Sequence, residues 1–351
     1  MGYLISIIIL AVAFDFINGF HDSANSIATV VSTKVLKPVV AVVWAAAFNF
    51  IAYFLAKYLI GFGVAQTVQK TVAADTVASS AGLLVIVAGL AAAIVWSLFT
   101  WWRGIPSSSS HTLIGGLVGA AVAAHGWAAV HWSTVGRIGL FIFLAPLIGF
   151  VAGNLITILV TWMCRRVKPH KADIWFKRAQ LVSSAFLSLG HGLNDSTKEI
   201  GVISCALIAF RELGMGVLPE WLTPSEKLVQ MGVPVPEWVP FACFTAIAVG
   251  TLSGGWRIIK TMGNKITRIT PVEGLCAQTA GALTLAITQL VKMPVSTTHV
   301  ISGSIMGVGS VKRLSAVRWG VSLDMITAWI ITIPVSALIG ACVYGFVAAF
   351  V

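Results

Sequence analysis

Two short polar motifs each occur twice in this chain, and both have the residue types of ion-binding elements. NGFHDSANSIATVVS, starting at Asn18, aligns with HGLNDSTKEIGVIS, starting at His191, at an offset of 173 residues. The match runs through Gly19/Gly192, Asp22/Asp195, Ser23/Ser196, Ile27/Ile200 and Val30/Ile203. Asp22 with Asn25, and Asp195 with Asn194, offer carboxylate and amide oxygens, the donors that suit hard cations. The second motif, PSSSSHTLIGGLVG from Pro106, aligns with PVSTTHVISGSIMG from Pro294 at an offset of 188, and Pro146 matches Pro334 at the same offset. Pro followed by small hydroxyl residues at the head of an apolar run describes a helix N-terminus. Unpaired N–H groups and the positive dipole end make such a terminus attractive to an anion. Ser107, Ser108, Ser109 and Ser110 in one copy, and Ser296, Thr297 and Thr298 in the other, add donors there; simple N-capping is the alternative use of such residues. An oxyanion held between two carboxylates needs cations beside it, so the motifs together point to symport with Na⁺, H⁺ or a complexed metal.

These motifs lie in runs that water would not tolerate. Of 351 residues 58% are hydrophobic and 10% charged, against roughly 25% charged in a soluble domain. Disorder, a disulfide scaffold (five Cys) and collagen (33 unperiodic Gly) are excluded, which leaves an all-α integral membrane protein. About 20 apolar residues cross the hydrocarbon. Around ten such runs are found, approximately 2–31, 39–64, 81–102, 112–130, 136–164, 181–210, 239–253, 272–291, 299–311 and 321–351. With re-entrant segments the expected count is ten to twelve. The first run reads as part of the mature protein, because no basic residue precedes it and it continues into a polar motif without a cleavage site.

Lys and Arg placement predicts orientation, since cytoplasmic loops are enriched in them. Alternating the ten runs puts sixteen of the 23 basic residues on one side and six on the other, with Lys198 inside a run. That split predicts ten crossings of the cytoplasmic membrane with both termini outside. It also assigns the net charge of +11 to a cytoplasmic face and not to nucleic acid. Glu212, Glu220, Glu226 and Glu237 with four prolines mark residues 211–238 as an extracytoplasmic loop or short interfacial helices.

The duplication gives two repeats, 1–164 and 180–351, joined by a short basic cytoplasmic linker, 165–179. Five runs per repeat is an odd number, so the second copy starts on the opposite side. An inverted-topology pair with broken helices is the architecture of secondary transporters, which bind near the midplane and work by alternating access. Gly19 and Gly192 are expected to loosen the helices beside the two Asp residues and let backbone approach a ligand. Carboxylates at membrane depth are costly and tend to be functional. Lys198 reads either as a site residue or as a neutraliser of Asp195 or Glu199. His111 and His299 are candidates for proton coupling or for packed structural histidines. Asp15 and Asp324 lack counterparts in the other copy and read as interfacial or structural.

The segments GFHDSANSIAT, HGLNDSTKEIG, GIPSSSSHTLIGG and PVSTTHVISGSIMGVG resemble the signatures of the inorganic phosphate transporter (PiT) family, in order along essentially the whole chain. The resemblance implies a cation-coupled phosphate symporter of the cell membrane, often dimeric, with no cofactor besides the coupling cation. It implies cation and phosphate binding for the Asp motifs (Asp22, Asn25, Asn194, Asp195) and a phosphate cradle for Ser107 to Ser110 and Ser296 to Thr298. His21 stands where the second copy has Asn194, a departure that looks like the bacterial branch associated with proton coupling or metal-phosphate uptake. A sulfate permease of the same family is the near alternative. An ion channel would not need duplicated anion-binding helix ends. An intramembrane hydrolase using Ser110 with His111 or His299 is a distant one, because adjacent residues do not readily form a nucleophile–base pair and a duplicated motif suits binding better.

Overall fold

The computed structural model describes residues 1–72, 76, 79 and 81–350; Val351, the last residue of the tenth apolar run and of the second repeat, lies outside them. The described residues are helical apart from turns, connections and one isolated bridge between Val72 and Val130. In chain order the helices are α1 (Gly2–Ser32), α2 (Pro38–Leu55, continued by a π turn, Ala56–Ile60), α3 (Gly63–Gln69), α4 (Gly82–Arg103), α5 (Ser109–His125) and α6 (Trp132–Met163). They continue with α7 (Pro169–Glu212), α8 (Glu226–Gln230), α9 (Trp238–Ser253), α10 (Trp256–Lys260, again followed by a π turn), α11 (Pro271–Leu290), α12 (Thr297–Lys312) and α13 (Trp319–Ala348).

Local chemistry sets many of these boundaries. Pro at the first turn opens α2, α7 and α11, where its missing N–H costs nothing. At α11 a capping box joins Thr270 to Glu273, with the Glu273 carboxylate accepting from the Thr270 N–H at 2.6 Å. Gly104, in the left-handed region at φ +68°, stops α4, and Pro106 keeps the chain extended up to Ser108. Residues 169–179, most of the basic segment, form the first turns of α7. Residues 211–238 contain a 3-10 turn, Glu220–Leu222, and the short helix α8.

Among the described residues five helices are long and apolar enough to cross a membrane: α1, α2 with its π turn, α4, α6 and α13. The bent pair of α9 and α10, turned by 61°, makes up to six. The other four runs of the expected ten fold differently. Helices α5 and α12 have 17 and 16 residues, about 25 Å at 1.5 Å per residue, short of the roughly 30 Å hydrocarbon core. They begin only at Ser109 and Thr297, after non-helical residues that include Ser107, Ser108 and Ser296. Helix α7 has ample length but carries Asp195, Lys198 and Glu199 in its middle, and α11 is rich in Thr and Gln. The outer faces of α6 and α13 expose Leu140, Phe143, Leu147, Leu323, Ile330 and Leu338, an exterior suited to lipid and not to water.

The expected breaks at the Asp motifs are not found. Both α1 and α7 run unbroken through Gly19 and Gly192. The glycines serve close packing instead: a Cβ on Gly19 would meet the Ile247 carbonyl oxygen of α9 at 2.1 Å, and one on Gly192 the Asn49 carbonyl oxygen of α2 at 2.8 Å. The helices stay intact because their intrahelical bonds are satisfied while the neighbouring backbone takes the space a side chain would fill. The interruptions fall at the extended segments before α5 and α12 and at Gly254.

Packing between the two halves is reciprocal. Helix α1 packs on α9 as α7 packs on α2, and α5 packs on α13 as α12 packs on α6. The same exchange relates α1 with α4 to α7 with α11. Each half therefore completes its core with the other, and the centre of this arrangement is where α1 and α7 cross.

Candidate functional site

The two polar motifs meet at that crossing. All of Asp22, Asn25, Asn194, Asp195, Ser107 to Ser110 and Ser296 to Thr298 are buried. Helices α5 and α12 begin here. The Ser108 and Ser296 hydroxyls each accept the main-chain N–H three residues on, of His111 and His299, at 3.2 Å. Capping is thus real at one hydroxyl of each run, and Ser109 and Thr297 are the hydroxyls that approach the carboxylates. We expect Ser296→Ala to lower thermal stability by about 1 kcal/mol, the usual worth of a cap. A denaturation series on the purified protein checks this, and loss of anion binding without loss of stability would instead place Ser296 in contact with the ligand.

Thr297 joins the two Asp residues. Its hydroxyl lies 3.4 Å from both Asp22 Oδ2 and Asp195 Oδ2, while Ser109 Oγ approaches Asp22 Oδ2 at 3.4 Å. Asn25 donates through Nδ2 to the hydroxyls of Thr297 and Thr298 at 3.0 and 2.9 Å. Asn194, from the matching motif on α7, donates to the Val295 carbonyl at 2.7 Å and to Asp195 Oδ1 at 3.2 Å. Each Asp motif is thereby tied to the hydroxyl motif of the second copy, an association that spans more than 270 residues of chain for Asn25.

Charge is balanced unequally. Asp195 pairs with the Lys198 ammonium one turn on, and that ammonium also donates to Ser110 Oγ. His191 Nε2 stands 3.0 Å from Asp195 Oδ2. Among the described residues Asp22 has only His21 as a charge partner, with Nδ1 2.7 Å from Asp22 Oδ1. The far nitrogen of His21 reaches Thr100 Oγ1 at 3.2 Å, and Ser107 donates to the same threonine at 2.8 Å. Ser107 Oγ also lies 3.4 Å from His21 Nε2, so this end of the hydroxyl run orients the histidine. Asp22, His191 and Asp195 each bring one ligand atom to within 4.8 Å of the others, spacing that can hold a cation.

His111 and His299 stand behind the hydroxyl runs. Their rings face each other with centroids 4.9 Å apart, and His299 stacks on Trp329 at 4.1 Å. Their ring nitrogens have no partner among the described residues. Ser110 donates to the Val295 carbonyl at 3.2 Å, so neither histidine forms the pair with Ser110 that a hydrolase would need. Lys198 pairs with Asp195, not Glu199. Asp15 is fully buried on α1, whereas Asp324 is exposed on α13.

Several residues outside the sequence motifs complete the site. Asn49 of α2 accepts from His191 Nδ1 through Oδ1 at 3.1 Å and donates through Nδ2 to the Thr251 hydroxyl at 2.9 Å. Its only signal in the sequence is a lone amide in an apolar run. Thr100 gives no signal there, since threonines are common in membrane helices.

A model of the phosphate transporter family matches the chain over residues 18–175 and 164–340. The chain is 46% identical over 341 residues to a probable low-affinity inorganic phosphate transporter of Rhizobium meliloti, covering 97% of this chain and 95% of that protein. It is 44% identical over 340 residues to a protein of the same description from Bacillus subtilis, covering 97% and 96%. A solved structure described as the sodium-dependent phosphate transporter superposes over the whole of both chains with a TM-score of 0.82 at 24% identity, which establishes the fold. These relatives are transporters, not enzymes, and the chain is a multi-pass membrane protein.

Proposed function

Because the chain belongs to the phosphate transporter family, we propose that it is a secondary active symporter that imports inorganic phosphate with H⁺ or Na⁺, alone or as a metal–phosphate complex. One observation carries this reading: a single hydroxyl, Thr297, sits at a helix N-terminus within 3.4 Å of one carboxylate from each half of the chain. An anion at the two helix ends and cations at the two carboxylates would occupy adjacent positions. Each would offset the other's charge, so that neither binds well alone. That mutual requirement is what couples their movement.

In this reading Asp22, Asn25, Asn194 and Asp195 hold the coupling cations, and Ser107 to Ser110 with Ser296 to Thr298 frame the phosphate. Lys198 limits the negative charge beside Asp195. The reciprocal packing of the halves supports an inverted pair of repeats, 1–164 and 180–351 about the segment 165–179, with α5 and α12 entering from opposite faces, each preceded by an extended segment. Ten crossings, with residues 211–238 and both termini outside the cytoplasmic membrane, follow from the basic residues. Alternating access would arise by moving one set of packed helices against the other around the fixed crossing, in a lipid-embedded homodimer.

Counterflow of labelled phosphate in proteoliposomes tests the assignment, with proton, sodium and divalent-metal gradients then imposed one at a time. We expect saturable uptake driven by at least one of them and weak competition by sulfate. Folded protein that moves no phosphate under any gradient refutes the reading, and stronger competition by sulfate than by phosphate reassigns the substrate.

A further inference from the structure

Two buried carboxylates lie outside the site just described. Asp15 on α1 and Glu199 on α7 are both 0% exposed, and their side chains adjoin. Among the described residues no hydrogen-bond donor reaches any of their four oxygens, although the Cys243 thiol of α9 borders Asp15. Asn18, one turn along the same face of α1 and 1% exposed, has both its amide nitrogen and its oxygen without partners among the described residues. Ser196, one turn before Glu199, likewise has an unpartnered hydroxyl. Such a concentration of unsatisfied buried groups is costly unless something is bound among them.

The position of this cluster is informative. Asp15 precedes Asp22 by seven residues on α1, whereas Glu199 follows Asp195 by four on α7. The two helices therefore cross in opposite senses, and the pair lies to one side of Asp22 and Asp195, toward the start of α1. At the repeat offset of 173 the corresponding positions are Ser26 and Ser188, both buried hydroxyl residues. In packing that is otherwise reciprocal, one side of the site has two carboxylates and the other has none.

Two carboxylates in contact, with only acceptor oxygens when ionised, repel one another unless a positive species lies between them. A proton satisfies both by making one the donor to the other. A hard cation would instead have the Cys243 thiol, a poor ligand for it, at its border. We propose that Asp15 and Glu199 share a proton that is taken up and released during transport, a second coupling position on one side of the Asp22–Asp195 crossing. The inference rests on the symport reading above. The groups facing the pair are Cys243 from α9, with Asp195 and Lys198 further along α7. In the orientation proposed above this side is the outer one. The pair would then be the first to meet protons entering from outside, before they reach His21 and Asp22, while the neutral Ser26 and Ser188 would leave the inner side without a trap for them.

The test uses the full-length protein carrying Asp15→Asn, Glu199→Gln or both, changes that keep shape and supply the hydrogen a shared proton would provide. Infrared difference spectroscopy across a pH step, which does not depend on transport, should show a titrating carboxylic-acid band in the wild type that the double variant lacks. Proton movement accompanying phosphate in proteoliposomes should fall by one per phosphate in the double variant, with labelled phosphate still bound. A band that persists in the folded double variant, or a band that never titrates, overturns the proposal, as does an unchanged proton count. Absence of phosphate transport by the wild type refutes the symport reading instead, while the infrared result still reports on the pair.

Discussion

Replacing Asp22 by Asn is expected to abolish coupled phosphate uptake while leaving a folded protein, and Asp195→Asn is expected to abolish uptake and destabilise the protein as well. Both changes remove a charged ligand from the crossing of α1 and α7. A charge-assisted contact is worth about 1.5–3 kcal/mol, roughly 10- to 150-fold in affinity, and a site that needs both cation and anion loses on both sides of the coupling. The two variants differ in what they leave behind. Asp22 faces His21, which can be neutral, so an amide at position 22 strands no charge. Asp195 neutralises the buried Lys198, and removing one member of a buried ion pair typically costs 3–5 kcal/mol. Adding Lys198→Met to Asp195→Asn should therefore recover much of the thermal stability without recovering uptake. Wild-type uptake by Asp22→Asn would remove the carboxylates from the proposed mechanism; equal stability of the two single variants would remove Lys198 from its neutralising role.

The second large effect concerns the backbone contacts between the halves. A Cβ on Gly119 of α5 would meet the Ala337 carbonyl oxygen of α13 at 1.8 Å, and one on Gly307 of α12 would meet the Phe150 carbonyl oxygen of α6 at 2.0 Å. These are matched positions at the offset of 188, and the obstruction in each case is main chain, which cannot rotate away. Gly119→Ala and Gly307→Ala should each cost at least the 1–3 kcal/mol typical of overpacking, and the corresponding valines should prevent accumulation of folded protein. Gly139, on the open face of α6, has nothing within 4 Å of its added Cβ, so Gly139→Ala is the control and should be neutral or slightly stabilising. Thermal unfolding followed by size-exclusion chromatography distinguishes them. Matching melting temperatures for Gly119→Ala and Gly139→Ala would mean that α5 and α13 are not in backbone contact.

Much of the candidate site was legible in the sequence because its chemistry is concentrated in motifs that occur twice. A carboxylate inside an apolar run is conspicuous, and a proline followed by three or four hydroxyls marks a helix start whatever surrounds it. Those signals are local. They identified Asp22, Asp195 and both hydroxyl runs, and the duplication implied that the four motifs share one task. For the same reason the role of Gly19 and Gly192 is not legible locally: a glycine beside a polar group looks alike whether it breaks a helix or admits a neighbour. Only the opposing carbonyls of Ile247 and Asn49 distinguish the two.

The sequence by itself determined the membrane class, the pairing of the two halves and the residues with ion-binding chemistry, because hydrophobic transfer and helix-end chemistry act over a few turns of chain. Tertiary structure alone decided which of those residues meet. It placed Thr297 between Asp22 and Asp195, turned Ser107 toward His21, set His111 and His299 behind the site, and brought Asp15 against Glu199. The physical reason is that α1 and α7 each pack on helices of the other half. Contacts at their crossing depend on how helices far apart in the chain approach one another, and no spacing within a single segment encodes that distance.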